Sequence, residues 1–473
     1  MGCFPVSNQG QVHSVQEVKI LPSSFVAKNS HKFSEIYHVR RRIGLTRYNE
    51  VRLAIHKQTK VTRAVKIIKK GRTDNAILQE IEFLKTLDHP HLVRIYEYFE
   101  DAKRCYIVME YCKGGELFDE ILKRQKFTER SAVVIMQQLL SVVKYLHEHS
   151  IIHRDIRPEN ILLEEKASGL SIKLIDFGNA TTVKRKTDFK MTHAMSHYIA
   201  PEVFKHHYNE KCDLWSCGVI LYILLSGVAP FVGHSVNEIV RQIKSGSFYF
   251  QVCSNIKASP EAQNMIISLV SDADTRLSAT NALNHPWIRK YSKKAEDDAV
   301  CFVLNKLKSF QIDGKLRDAI NTYIATQCLN NDMTRELTEA FEMMDTNKDG
   351  KLSREELLSQ YQMFMGTTVE EEVNRIIDNV DSDFNGYIDY SEFIRATMDT
   401  DKAISTENLK FAFDMFDKDE SGTISAVELK RVLDDGLPHK SDFWRDIIKE
   451  VDLNGDGEID FYELESLIVK SYK

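Results

Sequence analysis

Apolar positions along this chain change rhythm three times. Residues 8–35 are polar and unpatterned, and are expected to form a flexible leader. From Tyr37 short apolar runs begin: Ile43-Gly44, then Val51-Arg52-Leu53-Ala54, then Ala64-Val65-Lys66-Ile67-Ile68. Runs of this length bounded by polar turns predict strands. Ile77, Leu78, Ile81 and Leu84 then recur at helical spacing, in a helix that ends at Asp88-His89-Pro90. Tyr106-Ile107-Val108-Met109 reads as a buried strand, and a long helix is predicted from about Thr128 to His149. Beyond residue 288, Ala299-Val300, Val303-Leu304, Leu307 and Phe310 recur at helical spacing with Lys306 and Lys308 nearby. A second helix carries Leu316, Ile320, Tyr323 and Ile324. From Met333 onward, Phe341 with Met344, Phe393, Phe413 with Phe416, and Phe461 with Leu464 flank acidic loops. The pattern predicts an α+β fold followed by an all-α domain.

At 473 residues the chain exceeds a single core, so two or three domains are expected. No stretch approaches the ~20 apolar residues of a membrane span, and no signal peptide is expected. The eight cysteines form no CxxC pair, which suits reduced thiols inside a cell. Charge is unevenly divided. Residues 333–473 carry 16 Lys and Arg against 34 Asp and Glu, whereas residues 1–332 carry 47 against 35. A basic body with an acidic tail is compatible with nucleic-acid binding, a solvating tail or a cation-binding module. The regular spacing of the acidic residues favours the cation.

The first chemistry lies in His153-Arg154-Asp155-Ile156-Arg157-Pro158-Glu159-Asn160. One loop carrying an Asp, and an Asn five residues later, can hold a hydroxyl and a phosphate-bound metal in fixed relation. Asp176-Phe177-Gly178, Ala200-Pro201-Glu202, Asp213-Leu214-Trp215, Asp274-Thr275-Arg276 and His285-Pro286-Trp287 follow in order. Together with Ala64-Val65-Lys66 these motifs resemble the protein kinase domain over about 37–288. The resemblance implies a bilobal fold with Asp155 as base and Lys66 paired to Glu80, Glu82 being the runner-up. Asn160 and Asp176 would hold Mg²⁺. ATP would lie against Ile43, Gly44, Val51, Ala64, Lys66, Glu110, Cys112, Leu162 and Asp176. Glu116 would meet the ribose and a substrate Arg three residues before the target Ser or Thr, and Glu202 would pair with Arg276.

Three departures bear on turnover. Thr46 and Asn49 replace two glycines of the family's phosphate loop, Arg157 stands where Lys is usual, and Ala194-Met195 replaces Gly-Thr. In the family that Thr hydroxyl bridges the catalytic Asp and the loop Lys. A lost hydrogen bond to a charged group is worth ~1.5–3 kcal/mol, or roughly ten- to over a hundredfold in rate. Two readings follow: a slower Ser/Thr kinase, and a calcium-responsive pseudokinase scaffold.

The acidic tail is a four-fold repeat. Twelve-residue loops begin at Asp345, Asp381, Asp417 and Asp452. Calcium takes six to eight oxygens, here from side chains at positions 1, 3 and 5, a carbonyl at 7 and a bidentate Glu at 12. The first loop offers Asp345, Asn347, Asp349, Lys351 and Glu356, and the second Asp381, Asp383, Asn385, Tyr387 and Glu392. The third offers Asp417, Asp419, Ser421, Thr423 and Glu428, and the fourth Asp452, Asn454, Asp456, Glu458 and Glu463. Each has Gly at position 6, and Leu352, Ile388, Ile424 and Ile459 at position 8 are placed to pair adjacent loops.

Kinase motifs, then junction helices, then four EF-hands: this order resembles the calcium-dependent protein kinases of plants and protists. It implies a leader over 1–36, a kinase domain over 37–288 and autoinhibitory junction helices over 289–332. Calmodulin-like EF-hand lobes would occupy 333–402 and 403–473. ATP, Mg²⁺ and four Ca²⁺ are implied, with protein substrates carrying Arg near the target residue. The junction would occupy the substrate region at rest and become the ligand of the loaded lobes. A monomer without nucleic-acid partners is expected, with Thr187 or Thr192 open as activating phosphorylation sites. Gly2 and Cys3 offer acylation sites, although Val6 departs from the motif. The expectation is a cytoplasmic protein with a membrane surface within reach through those two residues.

Overall fold

The computed structural model describes residues 19–45, 49–71, 74–165, 170–183, 197–205, 207–244, 256–291, 297–311, 314–329, 331–366, 370–434, 439 and 442–470. Gly2, Cys3, Thr46, Thr187, Thr192, Ala194 and Met195 lie outside the described residues.

Five strands, β1 (Tyr37–Leu45), β2 (Asn49–His56), β3 (Thr62–Lys69), β4 (Ile95–Glu100) and β5 (Arg104–Met109), pair antiparallel in the order β1-β2-β3-β5-β4. The apolar residues of β3 place it at the centre, and its register sets Lys66 beside Val51 and Ile107. Helix α1 (Asp74–Thr86) buries Ile77, Ile81 and Leu84, while Leu78, expected on the same face, is exposed. In the second lobe, α2 (Glu129–Glu148) starts where the Thr128 side chain accepts from the Ser131 amide. It is buried along most of its length, and α3 (Lys211–Ser226) is buried from Cys212 to Leu225, mostly with apolar side chains. Among the described residues, no helix is long and apolar enough to cross a membrane.

The junction forms α4 (Asp297–Ser309) and α5 (Lys315–Tyr323). The first EF-hand lobe contains α6 (Asn331–Met344), α7 (Arg354–Met365), α8 (Glu370–Val380) and α9 (Tyr390–Thr397). The second contains α10 (Thr406–Phe416), α11 (Ala426–Leu433), α12 (Phe443–Lys449) and α13 (Phe461–Lys470). Val300, Val303, Leu304 and Leu307 form the buried stripe of α4, which packs against α6, α7, α8 and α9. The Tyr361 hydroxyl donates to the Leu304 carbonyl at 2.7 Å, and Lys308 pairs with Glu372 at 2.7 Å. α5 packs on α9 and α10, where buried Arg395 bonds Asp318. In this structure, therefore, the apolar stripe of the junction is covered by the first EF-hand lobe.

That lobe is docked on the kinase. Lys144 of α2 donates to the Asn347 carbonyl at 2.9 Å and to Asn347 Oδ1 at 2.8 Å, and Ser141 donates to the Lys348 carbonyl at 3.2 Å. His91 lies 3.0 Å from Glu342, and Asp88 accepts from the Ser391 amide at 2.7 Å. Gly350 is at φ 82°, and a Cβ there would sit 2.3 Å from the His89 ring. A position that calcium loops give to glycine for the turn is here also a contact with the kinase.

Residues 19–36 correct the expected leader. Ile20, Phe25, Val26 and Phe33 are all buried. Phe25 meets Tyr323 and Phe416 edge-on, at 5.6 and 6.4 Å, while Val26 joins the kinase core. The Asn29 amide donates to the Tyr98 carbonyl at 2.9 Å, and Phe33 stacks on Tyr37 and Tyr106. The segment is a strap across both modules. Its apolar residues are too few and irregular to show a period, so only tertiary contacts reveal them. Phe25→Ala is expected to cost about 3–5 kcal/mol in chemical denaturation, whereas Leu45→Ala, at an exposed strand end, leaves the midpoint unchanged.

Candidate active site and calcium loops

The kinase cleft is built from buried charge. Lys66 projects from β3 and reaches Glu80 of α1 at 2.5 Å and Asp176 Oδ1 at 2.9 Å. Burial alone would lower the lysine pKa, but the two carboxylates raise it and keep the ammonium charged. Lys66 in turn holds the Asp176 carboxyl below the usual range. Asp176 adopts a left-handed backbone, φ 66°, and opens a tight turn, Phe177–Asn179, with Phe177 buried. Glu82, the alternative partner, instead lies 3.7 Å from Lys85.

Asp155 is nearly buried, and that desolvation, opposed by Arg157, pushes its pKa up to about 7. Its backbone carbonyl accepts from Asn160 Nδ2 at 2.8 Å, which leaves Asn160 Oδ1 as the oxygen a metal would take. Arg157 Nε stands 3.4 Å from Asp155 Oδ1, and Asn179 Nδ2 donates to Oδ2 at 3.2 Å. The loop is suspended from Asp213 of α3, which accepts the His153 and Arg154 amides, both at 2.9 Å. An all-oxygen pair from Asn160 and Asp176 fits Mg²⁺, which favours hard ligands and binds through few protein groups. When bound, Mg²⁺ would neutralise charge on the phosphates of ATP; Lys66 would steady them, and Asp155 would receive the substrate hydroxyl proton.

The residues implied for ATP lie on β1, β2 and β3, just past β5, and on the strand pair of Glu116 and Leu162. Gly44 pairs with Val51 across β1 and β2, next to partly buried Ile43. Ala64 is buried opposite Met109, and Leu162 pairs with Glu116. Cys112 is buried, which pushes its thiol well above the usual value. The Glu110 side chain turns inward to Lys173 at 3.3 Å, a buried pair not legible in the sequence. Glu202 and Arg276 form a two-pronged pair at 2.5 and 3.2 Å.

The four acidic loops share one internal geometry. The amide of each position-6 glycine (Gly350, Gly386, Gly422, Gly457) donates to the position-1 Asp at 2.7–3.0 Å. Position-2 amides donate to Glu356, Glu392, Glu428 and Glu463 at 2.6–2.9 Å. The position-7 residues Lys351 and Thr423 lie on short strands, where Leu352 pairs with Ile388 and Ile424 with Ile459. Tyr387 and Glu458 follow the turns, their amides donating to Asn385 and Asp456. Asp345, Asp349 and Glu356 converge within 4.8 Å, as do Asp381, Asp383 and Glu392, and Asp417, Asp419 and Glu428. Such oxygen-only clusters fit Ca²⁺. The fourth loop, with Asp452, Asn454, Asp456 and Glu463, repeats the hydrogen bonds without a triad that close.

Residues 37–288 match the protein kinase domain model, and 334–398 and 406–469 match an EF-hand domain pair. The chain is 39% identical to calcium-dependent protein kinase 4 of Plasmodium berghei, over 98% of this chain and 92% of the relative. It is also 39% identical to calcium-dependent protein kinase 4 of Plasmodium falciparum, over 97% and 91%. Calcium-dependent protein kinase 3 of Plasmodium berghei is 36% identical over 91% and 79%. With catalytic cleft and calcium loops joined in one chain, and relatives matched along nearly its full length, this protein belongs to the calcium-dependent protein kinases.

Proposed function

We propose that calcium at all four loops switches on transfer of the ATP γ-phosphate to Ser or Thr in proteins with a nearby Arg, through capture of the junction. The observation that carries this reading is the seat of α4, whose apolar stripe lies within the first EF-hand lobe. An amphipathic helix in an apolar groove is the usual way a calcium-opened lobe takes its target. With the lobes empty and closed, the same stripe, with Lys306 and Lys308, would lie along the substrate region and block it. Preference for Arg is supported by half-buried Glu116, whose pKa is raised by burial and by Asp119 and Glu159 close by. The intact contacts among Lys66, Glu80 and Asp176 support turnover over a scaffold role.

Transfer to an Arg-x-x-Ser peptide is expected in calcium and to fall to background in chelator. Asp155→Asn should lower kcat by roughly 10²–10⁴-fold, and a wild type no faster than that variant would overturn the reading. The second and fourth loops carry four carboxylates at positions 1, 3, 5, 9 and 12, against three in the others. They are expected to load first, within the sensor range of about 10⁻⁷–10⁻⁵ M. Glu392→Gln should therefore remove a tighter phase of a calcium titration than Glu356→Gln does. Identical titrations from the two variants would count against that order.

A further inference from the structure

We propose that Asn179 is a positioning residue for phosphoryl transfer, its carboxamide fixing the rotation of the Asp155 carboxylate. A base of this kind acts only if an acceptor lone pair faces the incoming hydroxyl, so the carboxylate needs a directional partner. Arg157 does not supply one. Its Nε lies 3.4 Å from Asp155 Oδ1 but is a buried nitrogen with no hydrogen bond, so the pair is an attraction between charges. Asn160 Nδ2 also acts on the carboxylate, but its 2.8 Å hydrogen bond goes to the backbone carbonyl of Asp155. Asn179 Nδ2, in contrast, donates to Oδ2 at 3.2 Å. A carboxylate oxygen has two acceptor positions, so one remains for the substrate proton.

Asn179 is itself held. Its carbonyl accepts from Arg154 Nε at 2.6 Å, and it closes the tight turn that Asp176 opens. One turn thus carries the metal carboxylate at its start and the clamp on the base at its end. Motion that removes Asp176 from Lys66 would also withdraw the amide from Asp155. Assembly of the metal site and orientation of the base become a single event.

The proposal rests on phosphotransfer by this chain, and the experiment separates the two. Asn179→Leu keeps the approximate volume and removes the donor; Asn179→Ala takes its place if the leucine variant melts earlier than wild type. The single-turnover transfer rate is expected to fall about tenfold, with KM for ATP and the Mg-ATP thermal shift within twofold of wild type. In an Asp155→Asn background the same substitution should change nothing, because the carboxylate it orients is gone. An equal loss in both backgrounds, or a transfer rate within twofold of wild type, would overturn the role. A wild type no faster than Asp155→Asn would remove the activity and the proposal together.

Discussion

Asp213 reaches from α3 into the core and accepts the two consecutive amides that lead into the catalytic loop, with His147 as a third donor at 3.1 Å. Burial would push its pKa up, yet the hydrogen bonds, from His147 first, hold it below the usual range. The charge is needed because the loop starts in a costly shape. Arg154 is at φ 64°, a left-handed backbone worth about 1–3 kcal/mol of strain in a residue other than glycine. Two hydrogen bonds to an ionised acceptor, at roughly 1.5–3 kcal/mol each, outweigh it. Everything downstream follows from that turn: the direction of Asp155, the reach of Asn160, and the bond from Arg154 to Asn179.

The same anchor connects the cleft to the calcium module. His147 lies on α2, three residues beyond Lys144, which grips Asn347 in the first calcium loop. Tyr145, between them, lies beside His89, and its hydroxyl oxygen accepts the Asp88 amide at 2.9 Å. A largely buried helix therefore touches Asn347 of the first acidic loop at one point and Asp213 one turn later. The strap over residues 19–36 closes the arrangement from the other side, with Phe25 against the junction and the second EF-hand lobe and Phe33 packed on Phe99 of the sheet.

Much of this was legible in the residues alone. Both modules follow from short-range requirements: a loop must hold Asp155 and Asn160 together, and a calcium turn needs Gly at position 6 and Glu at 12. Such constraints act over a dozen residues, so spacing records them, and the helical period of α4 and α5 is recorded in the same way. Tertiary structure decided what depends on distant partners. It buried Phe25 and Ile20, exposed Leu78, turned Glu110 toward Lys173 and brought Asn179 to Asp155. It also covered the α4 stripe with the first EF-hand lobe. A lone Phe, or an Asn closing a short turn, has no period to betray its distant partners. Its role exists only once burial and chain crossing bring residues far apart in sequence into contact.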